Sequence, residues 1–232
     1  MKKTLLIALI AGAFSVGRLF ADTVTITYPD PKFDGNPNLG GGEFVATVTG
    51  ASTYSFITFC LEHSESISLN EAYHFTVGTY AVLGGVNNNG SDPAISAVPP
   101  GDTLSNGTAW LYEQFRAGTL AGYPGADHDT NAGLLQKAIW WLEDEIALTA
   151  SDVLANPFLQ AAIAEYNGQV KANYDPNTSS VRVMNPYVWT TVNNERVLRY
   201  RQSLLTLPDG GMTLAFLGAA LVGLVAFRRR CA

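Results

Sequence analysis

Between residues 22 and 206 the hydrophobic period changes twice, which restricts the chain to folds that hold both sheet and helix. Residues 22–28, 43–49, 52–61 and 73–77 alternate β-branched or aromatic residues with polar ones, as half-buried strands do. Gly50 and Ala51 suit a hairpin turn, while residues 29–42 and 84–101 are Pro-, Gly-, Asn- and Asp-rich and read as loops. The period then becomes helical. Ala109, Leu111, Tyr112 and Phe115 lie on one helix that Gly118 stops, and Asp129 or Thr130 caps a second, whose stripe is Leu135, Ala138, Ile139, Leu142 and Ile146. Pro157 opens a third, which ends near Gly168. Strand character returns at 181–184 and at 196–207, with a turn at Asn193 and Asn194. This order predicts an α+β fold: an antiparallel β sandwich or barrel with a three-helix insertion (105–117, 130–146, 157–168), plus a C-terminal hydrophobic anchor helix.

The ends predict export. Lys2 and Lys3 precede an uncharged run over 4–17, and Ala21 stands before Asp22, so residues 1–21 read as a cleavable signal peptide. A membrane-spanning helix is the competing reading, but it needs about 20 apolar residues. At the other end, residues 207–232 comprise Leu207-Pro208-Asp209-Gly210-Gly211, an uncharged stretch over 212–227, and Arg228, Arg229 and Arg230. That stretch is marginal for a bilayer, and the arginines would stay on the cytoplasmic side. A buried core helix competes here too, yet nothing polar interrupts the run. Of 14 lysines and arginines, six lie outside residues 22–209; the eight within that range face all 20 acidic residues, a formal 8 − 20 = −12. A body this acidic is expected to bind no nucleic acid, whose phosphates it would repel.

The motif Pro208-Asp209-Gly210-Gly211, the short apolar stretch and the arginine cluster together resemble a PEP-CTERM-type sorting signal. The variant nearest to it begins Val-Pro-Asp-Ser-Gly. The resemblance implies transient anchoring in the membrane, recognition by an exosortase-type sorting enzyme, and release to the cell surface or extracellular matrix.

Cys60 is the only cysteine outside the ends; Cys231 follows the arginine tail, so the two are not expected to pair. Phe59-Cys60-Leu61-Glu62 and the later Leu135-Gln136-Lys137-Ala138-Ile139-Trp140 resemble the two motifs of bacterial thioester adhesin domains. There an aromatic-Cys pair is joined to a Thr-Gln-x-Ala-hydrophobic-Trp sequence, and Leu135 stands here in place of the threonine. The segments 107–115 and 134–141 extend the likeness, toward domains borne by PEP-CTERM-type proteins, over roughly residues 52–170. The resemblance implies an internal thioester between Cys60 and Gln136, open to capture by an amine-bearing surface polymer or protein. Held in contact, such groups need no cofactor, because proximity alone is worth about 7–11 kcal/mol of barrier. Phe59 and Trp140 neighbour the two positions and are expected to shield the bond from water. The competing reading makes Cys60 an inert core residue, Gln136 a solvated helix residue, and the protein a non-covalent structural or carbohydrate-binding component of the matrix.

No other constellation points to an enzyme. His63 could act as a base, but His74 and His128 complete no metal-ligand spacing. Glu143, Asp144 and Glu145 read as a solvated helix face, and residues 87–92 lack the calcium-loop pattern. The residues around Asn106 and Asn177 match glycosylation acceptors, which mean little in the bacterial source that the sorting-signal resemblance implies.

Overall fold

A computed structural model describes residues 22–35, 41–50, 52–85 and 101–207. The signal peptide, the motif Pro208-Asp209-Gly210-Gly211, the anchor helix, the tail Arg228–Arg230 and the 87–92 segment lie outside the described residues. Among those described, no helix is long and apolar enough to cross a membrane.

Strands β1 (Thr23–Thr27), β2 (Phe44–Thr49), β3 (Thr53–Thr58) and β4 (Ala72–Gly78) form where the sequence alternates. In β1 and β2 every second residue is buried, putting Val24, Ile26, Phe44, Ala46 and Val48 on one face. After the short β5 (Tyr80–Ala81) and β6 (Asp102–Thr103) come the helices α1 (Asn106–Ala117), α2 (His128–Leu142), α3 (Ala150–Ala155) and α4 (Pro157–Tyr166). Strands β7 (Arg182–Val192), β8 (Glu195–Tyr200) and β9 (Leu204–Thr206) complete the chain.

The result is α+β. One antiparallel seven-stranded sheet runs β3-β2-β1-β4-β7-β8, with β9 also on β7, and β5 pairs β6 apart from it. The sheet curls until the segment after β3 meets β9, through a single bridge between Cys60 and Leu204. It does not close into the barrel that was one expectation, because β9 is only three residues long and cannot extend a ladder along β3. The expected partner sheet of a sandwich is likewise replaced: helices α1, α2 and α4 pack together and cover the sheet's inner side.

Two apolar clusters result. Phe59, Leu61, Val183 and Leu205 pack with the helices, while Val24, Ile26, Phe44, Tyr73, Met184 and Leu204 gather under the sheet with Cys60 and Trp140. Burial drives both, at about 25 cal/mol per Å² of apolar surface removed from water.

The helices differ from expectation in number and in ends. Asp127, not Asp129 or Thr130, caps α2 by accepting from the Thr130 backbone N–H. That helix ends at Leu142 rather than at Ile146, since Asp144 turns left-handed (φ 60°) and Ile146 swings to the sheet-side cluster. The additional helix, α3, is closed by a capping box of Thr149 and Asp152.

Candidate functional site

The site forms where β3 runs out. Continuing the β2–β3 register past the Phe44–Thr58 pair would set Gly42 opposite Cys60. Gly42 instead adopts φ 98°, a left-handed conformation that turns the chain away to close on Phe33. On its other edge Cys60 faces Leu204. Phe59 C=O accepts from Leu205 N–H (3.2 Å) and Leu61 N–H donates to Ser203 C=O (3.0 Å). In that antiparallel geometry the N–H and C=O of Cys60 itself point away from β9, into the gap β2 has left.

The side chain of Gln136 fills the gap. Cys60 N–H donates to Gln136 Oε1 at 3.1 Å, and Gln136 Nε2 donates to Cys60 C=O at 2.8 Å. The carboxamide therefore sits where a neighbouring strand's peptide would sit. Both residues are buried, Cys60 at 4% and Gln136 at 1% exposure. Gly41 lies on top: a Cβ there would come within 2.6 Å of both Gln136 Cγ and the Trp140 ring. The loop carrying Gly41 is tied to the start of α2. Asp34 and Gly35 N–H donate to Asp129 Oδ1, Phe33 stacks on the His128 ring at 3.6 Å, and His128 Nε2 lies 2.7 Å from Glu43 Oε1.

Gln136 is not the solvated helix residue of the competing reading: the loop over it and the sheet beneath bury it. Trp140 stands where expected, packed with Cys60 and edge-on to His63 at 4.8 Å between ring centres. Phe59 does not. Side chains alternate across an extended segment, so Phe59 points to the helical cluster, edge-on to Phe115, on the side opposite Cys60. Trp140 and Gly41 are the residues that lie against Gln136.

Past the bend at Leu61, Glu62 shares a cleft with Cys60. A cleft of about 210 Å³ is lined by Cys60, Glu62, His63, Glu65, Trp140 and Gln202, with Tyr28, Phe44, Ser66, Ile67 and Leu69 completing its wall. His63 and Ser66 are exposed and mark its mouth. Glu62 is 2% exposed; its Oε2 accepts from Ser203 N–H (3.0 Å) and from Gln202 Nε2 (3.1 Å). Its Oε1 is buried with no hydrogen-bond partner. Burial pushes the Glu62 carboxyl up to about 8, against the opposing hydrogen bonds from Ser203. Burial also pushes the Cys60 thiol well above its usual range, and the charge of Glu62 adds to that.

Of the expected solvated face of Glu143, Asp144 and Glu145, only Asp144 is exposed. Glu143 and Glu145 are buried because α2 ends at Leu142 and the chain folds both inward. Glu143 accepts from the Ser105 N–H and hydroxyl, and Glu145 accepts from His63 N–H. Sequence reasoning missed Glu62, Glu145, Gly41 and Gln202. Only Glu62 carried a signal, its place in the Phe59-Cys60-Leu61-Glu62 motif.

Cys60 is a free, buried thiol. Among the described residues no His, Cys, Asp and Glu group is arranged to hold a metal. No known family, curated protein or solved structure matches the chain.

Proposed function

We propose that this is an exported bacterial surface or extracellular-matrix protein that attaches covalently to amine-bearing partners through an internal Cys60–Gln136 thioester. The observation that carries the reading is the seating of the Gln136 carboxamide on the Cys60 peptide group, with both residues buried. The Cys60 N–H polarises the Gln136 carbonyl and is positioned to stabilise negative charge on Oε1 as sulfur adds to the carbon. Ammonia leaves and the acyl–sulfur bond remains. Gly41 and Trp140 cover Gln136, and a primary amine entering the cleft would approach the bond from the Cys60 side, freeing the thiol. Sorting by an exosortase-type enzyme at Pro208-Asp209-Gly210-Gly211, with loss of the apolar stretch and Arg228–Arg230, completes the reading. No cofactor enters it, and the protein acts as a single-use reagent rather than an enzyme.

A second reading has its own support. On the face of β7 and β8 away from the core, the Tyr187 ring centre lies 6.0 Å from that of Trp189 and 5.8 Å from that of Tyr200, and Arg196 lies 4.5 Å over Trp189. Trp189 is 42% exposed. Such a surface suits stacking on sugars in a non-covalent matrix protein, with Cys60 inert.

Intact mass spectrometry of the exported protein separates the two. The thioester reading expects a mass one ammonia below that of the processed sequence, no peptide beyond about residue 209, and methylamine addition at Gln136 that releases one thiol. Full mass with one thiol titratable after unfolding overturns it in favour of the second reading.

A further inference from the structure

We propose that Glu62 is the proton-transfer group of the Cys60–Gln136 pair, taking the thiol proton as sulfur attacks and handing it to the departing nitrogen. The inference rests on the thioester reading above. Three features of the structure carry it. Cys60 and Glu62 stand two residues apart just beyond β3, and both line the same cleft. One carboxylate oxygen, Oε2, is anchored by Ser203 N–H and Gln202 Nε2, which fixes the group's orientation. The other, Oε1, is buried and has no partner, a costly arrangement that a proton-transfer role would use.

The need is plain from the thiol. Burial disfavours its ionisation, so a free thiolate is scarce and the proton must pass to a neighbour during attack. The ionised Glu62 accepts the proton from Sγ as the Sγ–Cδ bond forms. It then protonates the nitrogen as the Cδ–Nε2 bond breaks, and ammonia leaves with Glu62 ionised again. In the reverse sense, an amine reaching the acyl carbon gives its proton to Glu62, which passes it to the departing Cys60 sulfur. Both steps balance without an oxidant or reductant. Besides Cys60, the titratable groups around Glu62 are Glu145 beyond the end of α2, His63 and Glu65 along the cleft, and Tyr28 after β1.

The test compares wild type, Glu62→Gln and Glu62→Asp in the full exported chain. Thioester content is read from intact mass, and thiol release by methylamine is followed between pH 6 and 9. The expected result is a ~100-fold slower release in Glu62→Gln, with the wild-type to variant ratio rising through about pH 8, where Glu62 ionises. Glu62→Asp should recover part of the rate. If Glu62→Gln folds but forms no bond, recovery of the bond in Glu62→Asp supports the proposal and its absence overturns it. A wild-type thioester with equal rates and a flat ratio in Glu62→Gln overturns the role of Glu62 and leaves the thioester standing. A wild-type protein that never loses ammonia overturns both.

Discussion

Gln136 holds the end of β3 by supplying a peptide-like group to a residue that has lost its neighbouring strand. Its amide meets both the N–H and the C=O of Cys60, and both residues are buried. Replacing it by leucine keeps the volume but strips both partners. Each backbone group left unsatisfied in the interior costs ~1–3 kcal/mol. Cys60→Ala removes only a small apolar side chain and leaves those two hydrogen bonds in place. Gln136→Leu is therefore expected to lower the denaturant midpoint more than Cys60→Ala does, by a margin visible in urea titrations of the two variants. Equal losses would mean that the pairing contributes nothing net to stability.

At the level of elements, Asn156 joins three helices. It ends α3, its Oδ1 accepts from Phe158 and Leu159 N–H at the start of α4, and its Nδ2 donates to Leu134 C=O of α2 at 2.8 Å. It is 2% exposed. Asn156→Ala should cost ~0.5–2 kcal/mol for the cap alone, plus the tie to α2, while Asn156→Ser should recover the cap but not the tie. Thermal melts of both variants check the order: wild type, then Ser, then Ala. Pro157 made the start of α4 legible in the sequence, and strong alternation did the same for β1 to β4. The misses have physical causes. α3 buries none of its residues, so it leaves no apolar stripe to read. β7 runs on through Asn185 and Pro186, a pair that argues against a strand. Pro186 is tolerated because its missing N–H falls at the break between β9 and β8, where Arg201 N–H donates to its carbonyl. The Cys60–Gln136 pairing was legible only through two short motifs. The turn at Gly42 that opens the gap for Gln136 depends on long-range closure with Phe33, which no local pattern reports.

For the whole molecule, an acidic chain that folds carboxyls into its interior ties its stability to pH. Burial raises the Glu62 carboxyl to about 8 and that of Glu143 to about 7, although hydrogen bonds to Ser203 and to Thr108 and Ser105 pull the other way. In the unfolded chain both return to the ordinary carboxylate value, near 4.3. Between that value and their folded values, the native state binds more protons than the unfolded state. Unfolding free energy must then fall as pH rises. The contribution of these two groups is fully present below about pH 4, declines through the neutral range, and is lost once pH passes about 8. This is opposite in sign to acid denaturation driven by salt-bridged carboxylates, whose folded values are lowered. Glu62→Gln and Glu143→Gln remove the titration while keeping the shape of each side chain. Melting temperatures recorded at pH 5, 6.5 and 8 should decline across the series in wild type. Each single variant should flatten the decline, and the double variant should flatten it further, with the largest gain over wild type at pH 8. A wild-type melting temperature that rises from pH 5 to pH 8 would mean that both carboxyls are ionised in the folded interior and held there by stronger donors than Ser203 and Ser105 provide.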